Sequence, residues 1–158
     1  MKFGAVIVTY NRIEHLRKSI FLYTQQTMKP EYIVVVDNAS TDGTDAFLKE
    51  WLLLDEGVHK EAVFLPENMG GSGGFYTGLE KMLQHEDVDW IWVADDDAYP
   101  AQDAFERAYE YITGLGSEAD DVAAVCGGVG TDGGFSNMQR FHLSKSVFGT
   151  QDMPIPRR

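Results

Sequence analysis

Apolar residues fall into short continuous runs, each followed by a stretch with helical spacing. Residues 3–9 carry two valines and an isoleucine in a run too short for a helix, which predicts a buried strand. Residues 32–36 contain four consecutive β-branched side chains and predict a second strand. Further strands are expected at 63–65, 88–94 and 122–129, with one more at 135–143 after a turn at 130–134. Between them, Ile13, Leu16, Ile20 and Tyr23 recur at helical spacing and predict a helix over 12–26. Phe47, Leu48, Trp51 and Leu52 do the same for 42–54. Phe75, Leu79, Met82 and Leu83 mark 74–85, and Phe105, Ala108, Tyr109 and Ile112 mark 101–113. Asn11 and Glu14 have the spacing of a reciprocal capping pair, and Ser40 or Thr41 is placed to cap the second helix. This alternation predicts an α/β fold with three layers, a mostly parallel sheet and right-handed crossovers. One domain is expected over 1–149, with a poorly ordered tail at 150–158 that holds two prolines and two arginines.

Composition narrows the choice of partner. The chain has 158 residues, 44% apolar and 24% charged, enough for an ordinary core. Its net charge of -12 repels nucleic acid and anionic membrane, so a nucleic-acid partner is not expected. An anionic ligand would need a local exception built from arginine, helix N-termini or a metal. The single Cys126 permits no internal disulfide and fits a reducing compartment. No signal peptide is expected from the first residues, and no stretch reaches the roughly 18 apolar residues of a membrane span.

The chemistry gathers at the ends of the expected strands. Asp95, Asp96 and Asp97 close the fourth one, and three adjacent carboxylates repel unless a cation or hydrogen-bond donors compensate. An extended backbone would send Asp95 and Asp97 to one side and Asp96 to the other. Hard oxygen donors without nearby Cys or His suit Mg²⁺ or Mn²⁺. A solvated acidic loop, or a helix start capped by Asp97, is the plainer alternative. Arg12 opens the first helix, where a cation opposes the helix dipole and so favours a use in binding. Asp37 ends the second strand, either as a turn acid in Asp37-Asn38-Ala39-Ser40 or as a partner for a base or ribose. Gly70, Gly71, Ser72, Gly73 and Gly74 follow the third strand and read as a tight lead-in to a helix, packed near a ligand. Their spacing is neither that of a P-loop nor of a dinucleotide fingerprint.

Four stretches in order carry a resemblance. They are residues 8–12 (VTYNR), 35–44 (VVDNASTDGT), 67–75 (ENMGGSGGF) and 92–100 (WVADDDAYP). The set resembles the inverting family 2 glycosyltransferases, closest to their bacterial galactofuranosyl- and rhamnosyl-transferase branch, over roughly residues 3–130. The resemblance implies a GT-A fold, Rossmann-like in its nucleotide-diphospho-sugar binding. It implies that Thr9, Asn11 and Arg12 line the nucleotide and diphosphate, and that Asp37 meets the base with Asn38 nearby. The stretch from Asn68 through Gly70, Gly71, Ser72 and Gly73 would lie against nucleotide and sugar, with Asp96 beside the ribose or sugar. Asp95 and Asp97 would hold Mn²⁺ or Mg²⁺. The donor would be a UDP- or dTDP-sugar and the acceptor a glycan or lipid-linked saccharide. The implied location is cytoplasmic, with the full-length enzyme peripheral to the inner face of the membrane.

The family places its catalytic base beyond the metal motif. Here the only acids after the fifth expected strand are Asp132 and Asp152, neither in a helical or apolar frame. The chain therefore reads as a truncated donor-binding half, with the general base absent and self-association favoured by an open sheet edge. The competing reading is an inactive nucleotide-binding or protein-interaction module. A nucleotidyltransferase ranks lower, because no basic glycine loop follows the first strand.

Overall fold

A computed structural model describes residues 1–125 and 127, and the backbone of 130–131 and 134–135. The chain divides into two compact units, Met1–Gly116 and Ser117–Arg158. The first holds a four-stranded, all-parallel sheet of β1 (Phe3–Thr9), β2 (Tyr32–Asp37), β3 (His59–Phe64) and β4 (Trp90–Asp95). Its order is β3-β2-β1-β4. Helices α1 (Ile13–Thr24), α2 (Thr44–Trp51) and α3 (Gly70–Met82) form the crossovers, and α4 (Ala104–Gly114) follows β4. The second unit holds a short hairpin of Gly130–Thr131 with Gly134–Phe135. The sequence predicts a strand over 122–129, but residues 122–125 carry no regular structure. The rest of that stretch, apart from 127, the last expected strand and the tail at 150–158 lie outside the described residues, as do Asp132 and Asp152. Among the described residues no helix is long and apolar enough to cross a membrane.

The two inner strands explain the uninterrupted apolar runs. Every residue of β1 is buried, and all of β2 after Tyr32, because helices cover both faces. Val6, Val8, Val34 and Val36 face α3 and share a cluster with Met82. The alternate residues, Ala5, Ile7, Ile33 and Val35, are fully buried on the other face. There Phe105 of α4 packs its ring edge-on against Phe3 and Tyr23, 5.6 and 6.0 Å away, and tilts over Trp92 at 5.0 Å. Arg17 of α1 lies over the Phe47 ring of α2 at 4.2 Å, which ties those helices together. Helices α1, α2 and α4 thus share one layer and α3 forms the other, as the alternation predicts.

Most element ends shift by one to three residues from the sequence reading, and three further differences bear on the site. β3 begins at His59 rather than 63, because Lys60 and Glu61 sit on a half-buried edge strand where charge is tolerated. Helix α3 begins at Gly70, so the glycine stretch is the first turn of the helix rather than a lead-in. Gly74 and Gly78 let α3 press onto the sheet. A Cβ on Gly74 would stand 2.5 Å from Val8 Cγ1, and one on Gly78 2.4 Å from Val6 Cγ1. That packing outweighs the roughly 1 kcal/mol per glycine by which such residues disfavour a helix.

The third difference concerns the start of α1. Asn11 is not its cap: it adopts a left-handed conformation (φ 53), and its Oδ1 accepts the Thr41 N–H at 2.7 Å. Asp42 does the capping from across the chain. One of its oxygens accepts the Ile13 N–H at 2.9 Å, and the other accepts the Thr44 hydroxyl at 2.6 Å and N–H at 3.2 Å. Desolvation alone would raise the Asp42 carboxyl, but the bonds from Thr44 and Ile13 outweigh it and hold it below the usual range. An acid depressed in the fold adds stability above its unfolded pKa and loses it as pH falls through the folded one. Asp42→Ala is therefore expected to lower stability at pH 7 by about 1 kcal/mol, the usual worth of an N-terminal cap. Urea midpoints measured at pH 7 and again on the acid side of about 4 should show the deficit shrinking at low pH. An equal deficit at both would contradict the capping role.

Candidate functional site

The strand order fixes where a ligand can enter. Strands β1, β2 and β3 are laid down in one direction and β4 is added on the other side of β1. The crossovers diverge at the carboxyl ends of β1 and β4, which opens a crevice there. A cleft of about 300 Å³ occupies this point, lined by Val8, Thr9, Tyr10, Arg12, Asn38, Asn68, Gly70, Gly71, Asp95 and Asp96. Of the residues singled out from the sequence, Thr9, Arg12, Asn38, Asn68, Gly70, Gly71, Asp95 and Asp96 meet in it. Asn11, Asp37, Ser72, Gly73 and Asp97 lie outside its lining.

Those outside frame the cleft. Asp37 is 97% buried, and its Oδ1 accepts the Ser40 N–H at 2.9 Å, which fulfils the turn-acid alternative. Asn11 donates its N–H to Ser40 Oγ at 2.9 Å, so β1 and β2 hold one loop between them. Ala39 sits in that loop at φ 64, a conformation that disfavours a side chain by about 1–2 kcal/mol. Gly73 faces Met69, whose Cβ would be 2.5 Å from a Cβ placed there.

One wall is the start of α3. Asn38, itself buried, donates Nδ2 to the Gly70 carbonyl at 3.0 Å and accepts the Met69 N–H at 2.8 Å. Asn68 accepts the Gly70 N–H at 2.8 Å. Gly70 has φ +71, which favours glycine at this junction. No acidic residue stands in the first turn of α3 and no side chain at its cap position hydrogen-bonds to it. The positive end of this helix therefore faces the cleft. The sequence points instead to α1 for that role, but there the first N–H is taken by a carboxylate, Asp42, whereas the first N–H of α3 is taken by the neutral Asn68.

The opposite wall is acidic. β4 ends at Asp95, and the Ala98 N–H bonds to the Asp95 carbonyl at 3.1 Å, so the chain turns through Asp96 and Asp97. Strand alternation therefore stops at Asp95 and does not govern the direction of Asp97. Asp96 points inward and is 98% buried; one oxygen accepts the Thr9 hydroxyl at 2.7 Å and the other Arg12 Nη1 at 3.1 Å. The same nitrogen reaches Asp97 Oδ2 at 2.8 Å. Asp95 pairs in register with Val8 and shares its side of the sheet, toward α3. Desolvation, then repulsion from Asp97 and Asp96, pushes the Asp95 carboxyl above its ordinary value, with Arg12 opposing.

Among the described residues no group of three or more His, Cys, Asp or Glu is placed to hold a metal ion. The donor set still fits one class of ion. Mg²⁺ and Mn²⁺ accept one or two carboxylates and complete their shell with ligand phosphates and water. Tyr10, which the sequence reading passes over, lines the cleft with 44% of its surface exposed. Its place between Thr9 and Asn11 is the available signal.

The family described as Glycosyl transferase family 2 matches residues 5–154. Galactofuranosyltransferase GlfT1 of Mycobacterium tuberculosis is 40% identical over 101 residues, which is 63% of this chain and 31% of that protein. Among solved structures, a fragment of S. aureus TarS, 1-349, in complex with UDP superposes with a TM-score of 0.61 at 22% identity, over 72% of this chain and 32% of that one. The mannosyltransferase PcManGT from Pyrobaculum calidifontis, in complex with GDP-Man and Mn²⁺, gives 0.59 at 25% identity, over 70% and 32%. The fold is therefore that of the GT-A glycosyltransferases, as the resemblance implies. The chain spans about a third of the length of GlfT1, of the TarS fragment and of PcManGT.

Proposed function

The chain belongs to glycosyl transferase family 2, and from that premise we propose that its cleft is the donor site of an inverting sugar transferase. The ligand is a nucleoside diphosphate sugar, with UDP and dTDP as the first candidates, held together with Mn²⁺ or Mg²⁺. The sugar goes to a glycan or lipid-linked acceptor. One observation carries this reading: an acid-free helix start and an acidic turn face each other across a single switch-point cleft. A diphosphate suits the first wall, and the carboxylates of the second would suit a divalent ion that accompanies it.

Each wall has a task. The start of α3 receives diphosphate oxygens on the N–H groups that follow Gly70, and Asn38 and Asn68 hold it in place. Tyr10 offers an exposed ring on which a base can stack. Thr9 and Arg12 hold Asp96, which braces the turn. Asp95 and Asp97 would supply the oxygen ligands of the ion. When bound, the ion supplies Lewis-acid stabilisation of the charge that builds up on the departing diphosphate. The general base and the acceptor site are not assigned to any described residue.

Calorimetric titration of UDP, dTDP and GDP, with and without Mn²⁺, tests the proposal. Metal-dependent binding of one of them is expected, and no binding under any condition would overturn it. Gly71 gives a sharper check. It lines the cleft, and a Cβ there meets nothing within 4 Å, so the chain itself does not require glycine. Gly71→Ala is expected to fold with unchanged or slightly higher stability. The added methyl takes up ligand space, and nucleotide affinity should fall about tenfold, a typical overpacking effect. Unchanged affinity would place the diphosphate elsewhere.

A further inference from the structure

Among the described residues Arg12 is the only cation lining the cleft, and it is already engaged. A single nitrogen, Nη1, contacts Asp96 at 3.1 Å and Asp97 at 2.8 Å. Asp96 is nearly inaccessible, and a buried carboxylate needs a counter-charge. Asp97 and Arg12 differ from it, with 43% and 47% of their side chains exposed. An exposed pair of this kind is weak and readily exchanged. While Arg12 occupies Asp97 Oδ2, an incoming dication meets a guanidinium on one of its ligands. A diphosphate offers that guanidinium two parallel oxygen contacts, a stronger partner than two separate carboxylates.

Resting on the proposed donor site, we infer that Arg12 is a resident counter-ion that blocks the metal carboxylates until a nucleoside diphosphate draws it away. Arg12 moves from Asp97 to the diphosphate, and Asp97 becomes free for the cation. The two ligands then bind with positive coupling: each alone binds poorly, and each removes the obstacle to the other.

The test is binding of Mn²⁺ alone, followed by the electron paramagnetic resonance signal of the free ion. Wild-type chain is compared with Arg12→Ala and Arg12→Gln, each checked for folding by circular dichroism. Both variants are expected to bind Mn²⁺ more tightly than wild type, by roughly 5–150-fold. Addition of UDP should then tighten Mn²⁺ binding by a smaller factor in the variants than in wild type. Arg17→Ala removes the same charge one turn along α1, where the guanidinium lies over Phe47 instead of the acids, and should change Mn²⁺ affinity little. Equal affinity in wild type and both Arg12 variants, or an equal gain in Arg17→Ala, overturns the inference. Failure of wild type to bind UDP with Mn²⁺ would instead count against the donor site, and the Mn²⁺-only comparison still decides the role of Arg12.

Discussion

Gly78→Val is expected to destabilise the chain by about 3 kcal/mol or more, the upper range for overpacking a core. A Cβ at this position would lie 2.4 Å from Val6 Cγ1 and 3.1 Å from Val36 Cγ2. Both valines are fully buried on the two inner strands, and β-branched side chains in a strand have little rotamer freedom to yield. Helix α3 would have to lift away from the sheet. The same lift would pull Met69 and Gly70 from Asn38, so residual folded protein should bind nucleotide poorly. Urea denaturation followed by circular dichroism gives the stability directly. A midpoint close to that of wild type would mean α3 does not rest on the sheet through this glycine. Gly71→Ala, on the same helix but facing open space, is the contrasting substitution.

Asp97→Asn has the second large effect, on binding. It keeps the size of the side chain but removes the charge that draws a divalent cation. Metal stabilisation of a diphosphate is worth several kcal/mol, so metal-dependent nucleotide affinity should fall about 100-fold. Binding without metal should not weaken, because Arg12 loses one of its two anchors and is freer to meet the diphosphate. Asp97 is exposed, so the fold should tolerate the change. Calorimetry of UDP with and without Mn²⁺ reads both quantities. Full Mn²⁺ dependence in the variant would remove Asp97 from the metal site.

The layers are legible because burial writes itself into sequence most strongly at central parallel strands. β1 runs from Phe3 to Thr9 as its apolar run predicts, and β2 extends that prediction by one residue. The edge strand β3 is longer than its apolar run, since Lys60 and Glu61 look like loop residues until only one side needs covering. The glycines from Gly70 to Gly74 mislead for a different reason. Local propensity opposes a helix there, and the packing of Gly74 on Val8 and of Gly78 on Val6 and Val36 outweighs it. The positions of the site residues along the chain are plain, but their partners are not. Arg12 meets Asp96 and Asp97 across 84 and 85 residues, and Asp42 caps a helix that starts 29 residues earlier. Such pairs are set by the crossovers, which no local pattern encodes. The turn at Asp96 likewise escapes strand alternation, which holds only while the backbone stays extended.

As proposed, the cleft at the ends of β1 and β4 takes a nucleoside diphosphate with a divalent ion. Backbone amide spectra of the ¹⁵N-labelled chain, recorded as UDP and Mg²⁺ are added together, test it most directly. Shifts are expected at Thr9, Arg12, Asn38, Gly70, Gly71 and Asp95 to Asp97. Tyr32 and His59 open β2 and β3 at the other end of the sheet, and His85 stacks on Tyr32 at 4.0 Å; these three should stay fixed. Saturating nucleotide and metal that leave the first set unmoved, or that move the second set instead, would contradict a donor site in this cleft.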